Sequence, residues 1–296
     1  MLGGKLLQNE PMSLHTSFRI GGPADLYTVA ASAQELVELV SLAREQGIPY
    51  LIIGRATNIL VADEGIRGLV IENGGQEIWF EDDAVLYAES GALLGDLARE
   101  SARRGLGGLE WAVGIPGSVG GAIVGNAGAY GCYIDGVTRK ATVLAADGTV
   151  RELSAAELGF GYRTSRFKGQ AGEGQQEVIL SAEFALRPES AQEPAEKMAD
   201  HTRRREISQP TEPSVGSVFK RTRQYPAGFL VEQAGLKGTR IGGAQISPKH
   251  ANFIVNLGGA RALDVKALID LAQEQVREQF GIDLELEIEL VGEWNG

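Results

Sequence analysis

Residues 111 to 134 run for 24 positions without a charged side chain, and "GIPGSVGGAIVGNAGAYG" (114–131) within them holds seven glycines. Glycine loses more conformational freedom on folding than any other residue, so something has to offset the cost of ordering this ribbon. Pro116, Asn126 and the glycines interrupt any sustained bulky apolar run, which argues against a membrane-spanning helix. A tight crossing of strands is one reading of such a stretch. The other is a loop whose backbone N–H groups approach a ligand closely. The segment contains no G-x-x-x-x-G-K-[ST] and no Lys or Arg, so it is not a P-loop. No stretch of the chain matches G-x-G-x-x-G, so the Rossmann fingerprint is missing too. What remains is a long neutral loop, with Gly114, Gly117, Gly120 and Gly121 able to wrap an extended ligand such as a dinucleotide pyrophosphate through amides alone. A second loop, "GRATNILVAD" (54–63), follows an apolar run and offers a tight turn at Gly54 with donors at Thr57 and Asn58.

The chain has 296 residues, enough for one large domain or two. Its 28 basic and 39 acidic side chains give a formal charge of −11, which disfavours nucleic acid and anionic membrane surfaces as partners. One cysteine, Cys132, precludes an internal disulfide and fits a reducing cytosol. "MLGGKLLQNEPMS" lacks the apolar core and cleavage site of a signal peptide, so a cytoplasmic location is expected. The three histidines show no metal-ligand spacing, and no metal is expected.

Periodicity predicts a mixture of helices and strands. Ser32 and Glu35 form a capping-box pair ahead of a helical stripe, and Gly47 suits its end. Short strands are expected at 50–53, 58–63, 68–72 and 84–90, and a helix over 93–105. Asp147-Gly148 marks a hairpin, and 177–188 reads as a strand. The composition changes near Pro188–Pro194, the expected domain boundary. Beyond it come a polar helix near 191–207, a short helix opening at Pro226, and a strand in "HANFIVNLG". A long helix then presents Leu263, Ala267, Leu268, Leu271, Ala272 and Val276 on one face. The final segment alternates Ile282, Leu284, Leu286, Ile288 and Leu290 with acids and reads as a strand. Residues 201–250 carry nine Lys or Arg against three Glu, a positive island where Arg203, Arg204, Arg205, Lys220, Arg221, Lys237 and Lys249 are candidates for an anionic ligand. A solvated helix face plus loops is the plainer reading of the same charges.

Several blocks in order, "HTSFRIGGPADL" (15–26), the glycine ribbon, "GYRTSRFK" (161–168), "PSVGSVFK" (213–220), "AGLKG" and "SPKHANFIVN", resemble the UDP-N-acetylenolpyruvoylglucosamine reductase family. The resemblance spans nearly the whole chain. It implies an α+β protein: a two-part FAD-binding domain of the vanillyl-alcohol-oxidase type over 1–188 (parts near 1–80 and 81–188), and a smaller α/β substrate domain over 189–296. That fold lacks the Rossmann fingerprint. The short link from Lys220 to Pro226 resembles the subtype without the long tyrosine-bearing loop. It implies an NADPH-dependent oxidoreductase of peptidoglycan synthesis acting on a UDP-sugar. In that family NADPH reduces FAD, hydride passes to the β-carbon of an enolpyruvyl ether, and a proton reaches the α-carbon. A monomer or weak homo-oligomer is expected.

By the same resemblance Ser217 is the proton donor, Arg163 steadies the developing charge, and Glu287 is the C-terminal catalytic glutamate. Glu285 and Glu289 are alternatives, because Glu289 stands where the family usually has arginine. Gly54, Arg55, Ala56, Thr57, Asn58 and Ile59 are expected to bind FAD, although Arg55 and Thr57 replace the usual glycine and serine. The ribbon is expected to contribute Gly114, Ile115, Pro116, Gly117, Ser118, Gly120, Gly121, Asn126, Ala127 and Gly128. Tyr130, Lys220, Arg203 and Lys237 are expected on the substrate side. His15 and His201 are expected to be structural or exposed, and His250 has no assigned chemistry.

Overall fold

In the computed structural model, residues 6–81, 84–169, 176–190 and 192–294 are described. The N-terminal reading therefore falls partly outside the described residues, at 1–5, as does the expected helix start at 191.

Local rules explain the first helix. Ser32 is its N-cap, its hydroxyl accepting from Glu35 N–H at 3.2 Å. The Glu35 carboxylate reaches back to Ala31 N–H at 2.8 Å, one residue further than a standard capping box. Helix α1 (Ala33–Glu45) ends at Gly47, whose φ of +64° suits a residue with no Cβ.

Contacts divide the chain into two units that interleave along the sequence. One contains the chain up to Leu7, Leu26–Arg55 and Gly68–Arg205; the other contains Gln8–Asp25, Ala56–Arg67 and the chain from Glu206. The consecutive division expected at 188/189 differs from this because Phe18, Ile20 and Leu60 are buried in the core of the second unit.

The first unit holds a five-stranded antiparallel sheet. Its spatial order is Val150–Ser154, Thr138–Leu144, Val178–Ala185, Val85–Glu89 and Ile78–Glu81. Helices α2 (Leu94–Arg103) and α3 (Val119–Val124) contribute Leu97 and Ile123 to the core beneath it, with Trp111 and Phe184. A second cluster packs Leu36 and Val40 of α1 against the parallel pair Tyr50–Ile53 and Leu69–Glu72. Helix α4 (Gln192–Ser208) buries only Pro194, as its polar composition predicts.

The second unit is organised around α6 (Ala262–Phe280), which follows the short α5 (Ala227–Gln233). The buried stripe of α6 is Val265, Leu268, Ile269, Ala272 and Val276, while Leu263, expected on that face, is 47% exposed. Leu263 sits in the first turn, where Asp63 accepts from Ala262 N–H at 2.8 Å and Leu263 N–H at 3.1 Å. Asp63 thus caps α6 from 199 residues away in sequence. Asp63→Ala should cost about 1–2 kcal/mol through the lost cap and the lost charge at the helix terminus, read from urea midpoints.

The expected final strand is mostly absent. Only Glu289–Val291 forms a strand, parallel to Ile59–Val61, with a single bridge between Leu286 and Phe219. The alternation is real, since Leu284 and Ile288 are buried, but burial on one side does not require a continuous ladder partner. Among the described residues, no helix is long and apolar enough to cross a membrane.

Candidate functional site

The glycine ribbon is a loop for only part of its length. Ser118 caps α3, its hydroxyl accepting from Gly121 N–H at 3.4 Å, and Val119–Val124 is helical. This corrects the expectation of an open loop and reduces its ligand-binding amides. Val119 N–H is spent on Ala92 C=O at 2.9 Å and Gly120 N–H on Ser90 C=O at 2.7 Å. The N–H groups of Gly114, Gly117 and Ser118 have no protein acceptor among the described residues. The ribbon can therefore cradle an anion through 114–118, ahead of the helix rather than along it.

The two expected cofactor loops touch within the first unit. A Cβ added to Gly54 would lie 2.2 Å from Ser118 Oγ, so only glycine lets these backbones approach. Arg55 is not strained; the left-handed residue is Ala56, at φ +45°. The Arg55 guanidinium reaches Glu72 at 3.8 Å. In the second unit Ser17 N–H holds Ala56 C=O at 3.3 Å, and Asn58 Nδ2 donates to Glu287 C=O at 3.1 Å. Thr57 and Ile59 lie between and after these anchors, with Ile59 paired to Glu289.

Arg163 sits on the turn Gly161–Thr164 at φ +55°, a conformation that costs an L-residue about 1–2 kcal/mol. The turn is stitched to the ribbon. Arg163 Nη2 donates to Gly128 C=O at 3.0 Å, and Ser165 Oγ donates to Val124 C=O at 2.9 Å. Asn126, buried and itself left-handed at φ +42°, donates to Gly161 C=O at 2.9 Å and Asp135 Oδ2 at 3.0 Å. Its carbonyl oxygen accepts from Asp135 N–H at 3.3 Å. The amide expected to line the flavin is thus occupied in joining three segments of the unit. Tyr130 stacks on His201 of α4 with ring centroids 4.2 Å apart, and its hydroxyl donates to His201 C=O. His201, expected to be structural or exposed, is a partner of this candidate residue, and burial pushes its pKa below the ordinary value. Arg205 Cδ lies 3.1 Å from where a Gly114 Cβ would stand, so α4 also covers the start of the ribbon.

Ser217 and Glu287 belong to the second unit, where Val218, next to the serine, stands opposite Glu287. Glu287 N–H donates to Val218 C=O at 2.8 Å, Phe219 bridges Leu286, and Lys220 N–H donates to Glu285 C=O at 2.8 Å. Gly216, at φ +77°, turns the chain into Ser217. Among the described residues the Ser217 hydroxyl makes no hydrogen bond, so it is not spent on its own loop. Glu285 is the exposed neighbour of Lys220, with Nζ and Oε2 3.4 Å apart. Glu289 N–H is bound to Asn58 C=O at 2.9 Å.

Part of the positive island is held locally. Arg204 pairs with Asp200 at 2.7 Å, Lys237 with Glu232 at 2.9 Å, and Lys249 Nζ donates to Glu206 C=O at 2.6 Å. Arg203 is exposed on α4. Sequence reasoning missed Asn252, whose side chain and backbone hold Val218 and Phe219. Its only signal was its position inside the block "SPKHANFIVN".

Residues 24–154 match a model of an FAD binding domain. The fold and this match define an FAD-dependent oxidoreductase. Residues 209–291 match the model of the UDP-N-acetylenolpyruvoylglucosamine reductase C-terminal domain. The chain is 43% identical over 291 residues to UDP-N-acetylenolpyruvoylglucosamine reductase 2 of Symbiobacterium thermophilum, covering 98% of this chain and 93% of that one. It is 42% identical over 290 residues to the reductase of Geobacillus kaustophilus, covering 97% and 93%. The crystal structure of the reductase from Thermus caldophilus superposes with a TM-score of 0.80 at 34% identity, covering 97% of this chain and 98% of that one. The chain belongs to the UDP-N-acetylenolpyruvoylglucosamine reductase family.

Proposed function

We propose that this protein reduces the enolpyruvyl ether of UDP-N-acetylglucosamine-enolpyruvate to UDP-N-acetylmuramate for peptidoglycan synthesis, in the cytoplasm, with NADPH as electron donor. The observation that carries the reading is the Glu287–Val218 backbone bond, which sets the C-terminal acid beside the Ser217 loop in a chain of this family. FAD, when bound, accepts electrons from NADPH and supplies the hydride for the β-carbon. Gly54 and the 114–118 backbone hold its pyrophosphate, with Arg55, Ala56, Thr57, Asn58 and Ile59 completing the first loop. Residues 1–188 are read as the FAD-binding part and 189–296 as the substrate part.

Adding hydride to the β-carbon builds negative charge at the α-carbon, next to a carboxylate. The residues must therefore stabilise an enolate-like anion and protonate it. Ser217 Oγ gives its proton to the α-carbon. Arg163 and Glu287 stabilise the charge and hold the substrate carboxylate. Lys220, Lys237, Arg203 and Tyr130 serve the diphosphate and sugar. For Lys220 this means exchanging its exposed contact with Glu285 for the ligand, a low-cost exchange because such surface pairs contribute ~0–1 kcal/mol.

The test is colour. Purified protein should be yellow, bleach with NADPH under nitrogen, and recover its colour on addition of the enolpyruvyl substrate. Rapid recovery in air alone would indicate an oxidase. Protein that stays colourless after incubation with FAD would indicate a binding module. A narrower test is Gly54→Ala. The new methyl collides with Ser118 Oγ, and the variant should lose most of its flavin on gel filtration, read from the ratio of flavin to protein absorbance.

A further inference from the structure

The position of the Ser217 hydroxyl has to come from the backbone around it. On its N-terminal side stands Gly216, left-handed, with open space where a Cβ would be. The nearest packing on that side is Val215, buried in the core of the second unit two residues before Ser217. On its C-terminal side the chain is clamped by buried Asn252, alongside the backbone bonds to Glu285 and Glu287. Val218 N–H donates to Asn252 C=O at 2.8 Å, Phe219 N–H to Asn252 Oδ1 at 3.0 Å, and Asn252 Nδ2 to Phe219 C=O at 2.9 Å. Asn252 is itself tied down, since its N–H donates to Nδ1 of His250 at 3.2 Å. A ring nitrogen can accept that bond only when it carries no proton.

We propose that Asn252 is a positioning residue for proton transfer, holding the Ser217 loop through Val218 and Phe219, and that neutral His250 keeps Asn252 in place. This rests on the reading of Ser217 as proton donor.

The surroundings of His250 keep its imidazole neutral at pH 7. The ring meets Phe253 edge-on at 4.7 Å and faces Gly228 of α5, where a Cβ would lie 3.4 Å from Cε1. Burial pushes its pKa below the ordinary value; nearby Lys237 acts in the same direction, while Glu232 of α5 opposes it. Lys249, next in the chain, directs its Nζ to Glu206 C=O. Because the folded pKa is the lower one, the clamp is intact above the ordinary imidazole pKa of ~6.5 and is lost as pH falls through the folded value. The N–H of Asn252 then faces a second donor.

The experiment measures two half-reactions separately by stopped flow on the holoenzyme: bleaching by NADPH and recolouring by the enolpyruvyl substrate. Asn252→Asp keeps an acceptor for Phe219 N–H but turns a donor into an oxygen facing Phe219 C=O. Recolouring should slow by ~10–10²-fold, the scale of small misplacements of a reacting group, while bleaching changes little. In a Ser217→Ala background the same substitution should change recolouring little, because the group it positions is gone. His250→Asn places an amide oxygen where Nδ1 was, without a titrating group. It should abolish the acid fall-off in recolouring seen in the wild type while leaving the rate at pH 8 close to wild type. Independent, multiplicative losses in the double variant would overturn the proposal, as would wild-type recolouring by Asn252→Asp or an unchanged acid limb in His250→Asn. If Asn252→Asp fails to retain flavin, the His250→Asn pH profile decides. If Ser217→Ala alone recolours at the wild-type rate, the donor reading itself falls and takes the proposal with it.

Discussion

Ser217→Ala is expected to slow recolouring by the enolpyruvyl substrate by ~10²-fold or more, while flavin binding and bleaching by NADPH stay within a few-fold of wild type. The size follows from the value of a placed proton donor, and ~10²-fold corresponds to about 2.7 kcal/mol of barrier. The selectivity follows from the structure. The backbone on either side of residue 217 is held by buried Val215, Asn252 and Glu287, none of which bonds to the serine hydroxyl. Alanine therefore removes the proton without moving the loop. A hydroxyl with a structural bond would, on removal, lower thermal stability as well. An unchanged melting temperature together with the kinetic loss is the combined result expected. Recolouring within a few-fold of wild type would rule out Ser217 as donor. Glu287→Gln gives the matching control: it keeps the backbone register with Val218 and removes only the charge.

Asn126→Ala should produce the largest stability loss among the variants considered, ~3 kcal/mol, measured from urea or thermal unfolding. Its side chain donates to Asp135 and Gly161 and accepts from Asp135 N–H. Truncation leaves the half-buried Gly161 C=O without its donor, at ~1–3 kcal/mol, while the exposed Asp135 turns to water. Asparagine also tolerates the left-handed backbone at φ +42° better than alanine, which adds to the loss. Because Asn126 holds the Gly161 turn against the ribbon, Arg163 should lose its place even in the surviving folded protein. Substrate turnover should then fall further than flavin content does. A variant as stable as wild type would show that the three bonds are not needed.

Local chemistry was readable from the chain alone. Ser32 and Glu35 foretold α1, Asp147-Gly148 foretold the hairpin between Thr138–Leu144 and Val150–Ser154, and the apolar spacing foretold α6. Each depends on residues within a few positions of one another. The acidic alternation after Ile282 misled because period two reports burial on one side, and a continuous ladder also needs a partner. The ribbon misled in the opposite direction: its glycines hide a helix that starts at Ser118 because strand-end carbonyls at Ser90 and Ala92 take its first amides. The same chain folding decided Leu263, which the spacing placed on the core side of α6 and the structure turns outward.

What the order of residues determined by itself was the family, the class of chemistry, and the types of side chain that could perform it. The blocks at 161–168, 213–220 and 247–256 are each short enough to be recognised without knowing what they touch. Tertiary structure decided which backbone groups of the last segment pair with the serine loop, which amides of the ribbon remain for a ligand, and which residues assemble each unit. Those outcomes depend on hydrogen bonds between residues far apart in the chain, 229 apart for Asn58 and Glu287 and 33 apart for Asn252 and Phe219. Such bonds form only once the fold has brought both partners together, and their partial burial strengthens them.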